Sequence, residues 1–98
     1  IGPHVSVFVA VELADHTAAS FRAFEAAVQK YDEVTACWAL GGGFDYLMQI
    51  VTNDIDAYQR LIDEMLEARI GLARYFTYVV TKPVKGGGAP PLDLLLNR

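Results

Sequence analysis

The chain has 98 residues, of which 53% are hydrophobic and 20% charged, and its formal net charge is −4. Because nucleic-acid affinity rests on Lys and Arg neutralising phosphates, we expect no duplex DNA binding by these residues alone. The single cysteine excludes an intramolecular disulfide, and the absence of a long apolar run or a secretory signal favours a one-domain cytoplasmic protein with no membrane span.

The first half of the chain predicts a strand followed by a helix. Residues Val5 to Leu13 alternate between a β-branched face and a face of small or apolar residues, which is typical of a strand that is covered on both sides. From about Thr17 to Tyr31 the period changes to that of an amphipathic helix. Its apolar stripe consists of Phe21, Phe24, Val28 and Tyr31.

The middle of the chain predicts a β-hairpin. Val34 to Leu40 alternates again and Phe44 to Val51 has an aromatic and β-branched pattern, with Gly41 to Gly43 between them. Two such runs joined by a short glycine connection indicate two paired strands. In the first of these strands the alternation predicts one shared face for Val34, Ala36, Trp38 and Leu40.

A second helix and a last strand follow the hairpin. Asn53 or Asp54 is suited to cap the helix, and Gly71 is suited to end it. From Leu72 to about Thr81 the alternation returns and predicts the fourth strand. The apolar stripe of the helix consists of Ile55, Tyr58, Leu61, Ile62, Met65 and Leu66.

The order βαββαβ predicts an α+β, ferredoxin-like domain, in which two helices lie on one face of a four-stranded antiparallel sheet. Helices on one side leave the other face open. Phe8, Tyr46 and the aromatic residues of the last strand suggest that the sheet of a partner subunit covers it. We place this domain at residues 1–85, followed at 86–98 by a Gly/Pro linker and an apolar tail. The tail either docks on a neighbouring subunit or is a frayed terminus.

Three segments carry a resemblance to a known family. Over roughly Val5 to Lys85 the chain resembles the C-terminal ligand-binding (RAM) domain of Lrp/AsnC, or feast/famine, transcription regulators. The matching segments are Leu40 to Met48, then Gly71 to Arg74 with Thr77 to Val80 and Lys85, and the approach to the second strand from Ala27 to Lys30 with Val34 and Cys37. The chain departs from the family pattern at Gly41, where a hydroxyl residue is usual, at Gly43, often polar, and at Ile70, commonly proline.

The resemblance implies a homodimer that forms through the sheet, assembly into rings of dimers such as an octamer, and an amino-acid effector bound between subunits, with no cofactor. In the family this domain follows a helix-turn-helix, which is not present in these residues, so DNA would be bound only through such a domain. The effector site predicted on this basis comprises Gly41, Gly42, Gly43, Phe44, Asp45, Tyr46, Thr77 and Tyr78.

Elementary chemistry supports an amino-acid site at the glycine hairpin. Gly41 to Gly43 expose backbone N–H groups that suit a carboxylate, and the neighbouring Asp45 is suited to accept from an ammonium group. Tyr46, Thr77 and Tyr78 would supply hydroxyl groups or ring surface around the effector side chain. The alternative is an ordinary turn in which the aspartate bonds to its own backbone.

Two other functions stay open at this point. Ferredoxin-like dimers include cofactor-free oxygenases, but no buried acid–base pair is evident, and we interpret the chain as a non-enzyme. A ligand-free oligomerisation module would need a solvent-facing glycine hairpin and an Asp45 that is satisfied internally. His4 and His16 have no third ligand at metal spacing, and Cys37 has the position of a small buried residue in a strand.

Overall fold

The structure is a computed structural model that describes residues 4–86. Its elements are β1 (Val5–Leu13), α1 (Ala18–Val28), β2 (Val34–Ala39), β3 (Tyr46–Thr52), α2 (Ile55–Glu67) and β4 (Leu72–Val79). Apart from Gly86, the predicted linker and tail at 86–98 lie outside the described residues. Neither described helix is long and apolar enough to cross a membrane.

The four strands form one antiparallel sheet in the order β2-β3-β1-β4, with β1 between β3 and β4. In the central register Val9 is opposite Met48 on one side and Thr77 on the other. The predicted βαββαβ, ferredoxin-like fold is therefore confirmed. The fully buried side chains of the core include Val7, Val9, Val11, Phe24, Met48, Ile50, Ile62 and Met65.

Both helices begin at side-chain caps. Thr17 Oγ1 accepts a hydrogen bond from the Ser20 amide at 3.1 Å, and Asp54 Oδ1 accepts one from the Ala57 amide at 2.7 Å. These bonds satisfy N–H groups that have no partner inside the helix. Of the two residues predicted to cap α2, the structure selects Asp54.

The helix ends differ from prediction. α1 ends at Val28 rather than at Tyr31, and α2 ends at Glu67. The prediction that Gly71 ends α2 is wrong, because Ala68 is the C-cap and Arg69 already has a positive φ of 53°. Gly71, at φ 104°, belongs to the turn into β4.

The predicted face of β2 is also wrong, because the strand contains an irregularity. Its register against β3 shifts between Val34 and Ala36, which places one extra residue on β2. Val34 and Cys37 therefore pack against the core, whereas Ala36 and Trp38 lie on the other side of the sheet. A bulge of this kind reverses the alternation beyond it.

Tyr46 was expected on the uncovered face, and this prediction is wrong as well. Its side chain is 3% exposed and lies among the helix-facing residues, because Tyr46 is opposite Val11, which belongs to the core. Its ring centroid is 4.6 Å from that of Phe24 on α1. Its hydroxyl donates a hydrogen bond to Glu25 Oε2 at 2.5 Å.

The face of the sheet turned away from the helices is called the open face here. Three of its aromatic side chains are well exposed: Trp38 by 46%, Phe76 by 41% and Tyr78 by 55%. Register and alternation place on the open face Ser6, Phe8, Ala10 and Glu12 of β1, Ala36 and Trp38 of β2, Leu47, Gln49 and Val51 of β3, and Arg74, Phe76 and Tyr78 of β4.

Candidate functional site

The predicted hairpin exists, and its loop has an open tip. β2 and β3 pair antiparallel, and the Leu40 amide donates to the Asp45 carbonyl oxygen at 2.9 Å to close the loop. Gly41 to Gly43 are exposed, and a Cβ placed on any of them would meet nothing within 4 Å. Within residues 4–86, no hydrogen bond is donated by these three amides. The backbone at the tip is thus accessible from outside the subunit.

Gly42 is the position of the tip that requires glycine. Its φ of +134° lies in the region that residues with a Cβ rarely adopt. Gly41 and Gly43 have no such conformation, so side chains at these two positions are compatible with the backbone. The loop therefore needs only one of its three glycines for its shape.

Asp45 joins the hairpin to two other segments. Its Oδ2 accepts a hydrogen bond from the Leu13 amide at 2.8 Å, and His16 Nε2 lies 2.8 Å from the same oxygen. The amide of Asp45 donates to the Val11 carbonyl oxygen at 2.9 Å. The carboxylate does not bond to its own turn but holds the hairpin against the end of β1 and the segment before α1.

These contacts determine the charge of the carboxylate. The hydrogen bond from the Leu13 amide lowers the pKa of Asp45 below its usual value, and the hydrogen bond and charge of His16 lower it further, while desolvation acts in the opposite direction. An ionised carboxylate can only accept hydrogen bonds, so we assign the shared proton to His16 Nε2. Asp45 is a fixed negative group at the base of the hairpin, with a side chain 18% exposed.

Phe44 brings the hairpin into contact with β4. Its ring centroid lies 5.4 Å from that of Phe76, in an edge-to-face arrangement. The guanidinium of Arg74 lies 5.7 Å from the centroid of Phe76 and donates to Glu12 Oε2 at 2.7 Å. One end of the open face therefore carries two aromatic rings and an exposed ion pair next to the glycine tip.

Three of the predicted site residues lie elsewhere in the subunit. The Tyr46 hydroxyl is directed towards α1, and desolvation, followed by its hydrogen bond to Glu25, raises its pKa far above the usual value. The Thr77 hydroxyl is hydrogen-bonded to Tyr58 of α2, whereas Tyr78 lies on the open face opposite Phe8. The last two are consecutive in a strand and so point to opposite sides of the sheet.

Within one subunit, therefore, the structure groups Gly41 to Asp45 and leaves Tyr46, Thr77 and Tyr78 apart from them. Sequence reasoning missed Leu13, His16 and Phe76 as neighbours of the hairpin. Leu13 and Phe76 lie in strands that the sequence predicted. They are near the hairpin because β1 pairs with both β3 and β4. No sequence pattern indicated His16.

A separate groove of about 450 Å³ lies between α1 and the turn after α2. Its lining includes Asp15, Lys30, Tyr31 and Arg69. None of the eight predicted site residues lines it. The groove is thus distinct from the glycine hairpin.

The family model and the curated relatives that match this chain indicate the same protein family. The Lrp/AsnC ligand binding domain model matches residues 6–90. The transcriptional regulatory protein DoeX of Halomonas elongata is 56% identical over 79 residues, which are 81% of this chain and 50% of that protein. The chain spans about half the length of the curated relatives it matches.

Solved structures agree with this match. An AsnC family transcriptional regulator from Agrobacterium tumefaciens has a TM-score of 0.79 and 28% identity, covering 96% of this chain and 61% of that one. Transcriptional regulator NMB0573 from Neisseria meningitidis, in complex with L-Met, has a TM-score of 0.76 and 28% identity, covering 93% and 58%. Since the family model matches residues 6–90, from β1 to beyond the end of β4, the chain belongs to the Lrp/AsnC ligand-binding domain family.

Proposed function

We propose that this chain senses an amino acid or related metabolite and assembles the subunits of a transcription regulator. The observation that carries the proposal is the glycine tip, Gly41 to Gly43, whose amides are exposed and donate no hydrogen bond within residues 4–86. Membership of the family supports it, as do the regulator DoeX and the L-Met complex of NMB0573.

The effector would bind by its zwitterionic end. The amides of Gly42 and Gly43 would donate to the α-carboxylate. Asp45 Oδ1 accepts none of the hydrogen bonds within residues 4–86, so it is available to the ammonium group while Oδ2 keeps its bonds to Leu13 and His16. Thr77 and Tyr78 would belong to the site only from a second subunit.

A second copy of the chain would cover the open face. Exposed aromatic side chains such as Trp38, Phe76 and Tyr78 are more than a monomer of this size should present to water, and a two-fold dimer would bury them against the open face of a second copy. We propose a sheet-to-sheet dimer and its further assembly into rings. In a full-length regulator this assembly would set the spacing of attached DNA-binding domains.

One observation favours a second candidate, a ligand-free oligomerisation module. Such a module requires a solvent-facing tip and an internally satisfied Asp45, and the Oδ2 of that residue does have two partners. We prefer the effector function, because hydrogen bonds to one carboxylate oxygen do not use the free amides of the tip. An enzymatic role has no comparable observation, and the relatives are transcription regulators.

A thermal screen of the purified chain against the twenty amino acids, L-methionine included, tests the proposal. An effector at about one hundred times its dissociation constant should stabilise the folded state by roughly 2.7 kcal/mol. For a domain of this size that raises the melting temperature by about ten degrees.

The variant Gly43→Val sharpens the screen. Its Cβ projects into open space and its backbone is not strained, so the unliganded variant should melt like the parent and lose the response to effector. Asp63→Ala, an exposed position on α2, is the control and should respond normally. The proposal fails if no amino acid shifts the parent, or if Gly43→Val responds as the parent does.

A further inference from the structure

We infer that His16 is a positioning residue of the glycine hairpin: acting through Asp45, it sets the position of the tip amides and makes effector affinity depend on pH. The affinity part of this inference rests on the proposed function. The positioning part stands on the geometry of the subunit alone.

One carboxylate oxygen connects three segments of the chain. Asp45 Oδ2 takes the Leu13 amide and His16 Nε2, each at 2.8 Å, although His16 is 29 residues away in sequence. The first contact fixes the hairpin to the end of β1. The second contact, with His16, joins the hairpin to the segment before α1. Within residues 4–86 no other side-chain hydrogen bond does so. Loss of this second contact would leave the hairpin held by β1 and by the contact of Phe44 with Phe76 of β4.

The imidazole itself is anchored on the helix side. Its ring centroid is 5.9 Å from that of Phe21 on α1, and the next residue, Thr17, is the N-cap of that helix. His16 therefore contacts both the helix and Asp45, and its side chain is 53% exposed. The hairpin is therefore in contact with the start of α1 through His16, in addition to its contacts with β1 through Leu13 and with β4 through Phe44.

The contact should be sensitive to pH because histidine is the side chain that ordinarily changes charge between about pH 5 and pH 8. Asp45, with its lowered pKa, stays ionised throughout that range. At a pH at which the imidazole is protonated, the two side chains form an ion pair with a charge-assisted hydrogen bond. At a higher pH, at which the ring is neutral, it donates a weaker hydrogen bond.

The other charged groups around the pair have partners of their own. Glu25 of α1 accepts from the Tyr46 hydroxyl, and Glu12 of β1 is paired with Arg74 of β4. The raised pKa keeps Tyr46 neutral across this range. Asp15 precedes the histidine in the chain. His16 is the titratable side chain in direct contact with the Asp45 carboxylate within the described residues.

Two variants separate the donor from the charge. His16→Gln keeps an N–H donor at a similar position without a titratable ring, and His16→Phe keeps a ring against Phe21 without a donor. In ¹H–¹⁵N spectra of the unliganded chain, the amide shifts of Gly41 to Gly43 in the parent should follow the titration of the His16 ring protons. In His16→Gln they should not change with pH. In His16→Phe they should move while the amides of α2 stay in place.

Titration with L-methionine gives the second readout. The dissociation constant of the parent should differ about fivefold between about pH 5.5 and about pH 8, which is the size expected for a half-exposed ion pair. In His16→Phe the dissociation constant should not change with pH over this range. The control His4→Phe removes the other histidine of the chain and should behave like the parent.

The two readouts fail separately. If L-methionine and the other amino acids do not bind, the proposed effector function fails while the spectra still decide whether His16 positions the hairpin. The positioning inference is overturned if the amide chemical shifts of Gly41 to Gly43 are the same in His16→Phe as in the parent. It is also overturned if these shifts in the parent do not change as the imidazole titrates.

Discussion

Replacing Tyr78 by alanine should weaken the sheet-to-sheet dimer and leave the fold of each subunit intact. The side chain is 55% exposed on the open face, so it contributes little to the core of its own subunit. A tyrosine side chain buries on the order of 200 Å², so roughly 100 Å² is available to a partner. At about 25 cal/mol per Å² this amounts to about 2.5 kcal/mol.

Two-fold symmetry doubles the effect, because Tyr78 would enter the interface once from each subunit. The dimer should then lose about 5 kcal/mol, which raises its dissociation constant by a factor of several thousand. The figure corresponds to burial of the whole exposed part of the ring by the partner. Sedimentation equilibrium over a wide range of protein concentration measures the constant directly.

Ile55→Ala is the matched control. Ile55 is 47% exposed, but it lies at the start of α2, on the other side of the sheet. Its removal should leave both the fold and the dimer unchanged. If Tyr78→Ala dimerises as tightly as the parent, or if Ile55→Ala weakens the dimer equally, the partner covers a different surface and the reasoning from the open face is refuted.

Two further predictions concern stability. Ile62→Ala empties a fully buried position on α2 and should cost about 2 to 5 kcal/mol in urea unfolding, so a change below 1 kcal/mol would contradict the assigned core. Because the pKa of Asp45 is lowered in the folded state, its contribution is present above the unfolded value of about 3.9 and is lost as pH falls through the folded value. Unfolding of Asp45→Asn between about pH 5 and pH 2 should therefore depend less on pH than that of the parent.

Local patterns were sufficient for the order and type of the elements. Alternation over Val5 to Leu13 predicted β1 with its observed bounds, and the glycine run at Gly41 to Gly43 predicted the hairpin. The apolar stripe of α2 predicted four buried residues and failed only at its two ends, Ile55 and Leu66, which are exposed. Periodicity predicts which face of a helix or strand is apolar, and it is this face that packs in the core.

The sequence could not set the phase of one strand against its neighbour. The irregularity between Val34 and Ala36 reverses the faces of β2 beyond it, and no residue type there indicates it. Tyr46 is an aromatic residue next to a turn, which suits either face. Its pairing with Val11 decides that it is buried under α1, because a shift of one residue would move every side chain of β3 to the other side.

For the candidate site, the sequence alone determined the segment: three glycines followed by Phe44 and Asp45, in a pattern that resembles one family. Only the tertiary structure decided what surrounds that segment. It brought His16 to Asp45 across 29 residues and separated Thr77 from Tyr78 onto opposite faces of the sheet. Contacts of this kind depend on how helices and strands pack in three dimensions, and residues distant in the chain carry no local pattern that records them.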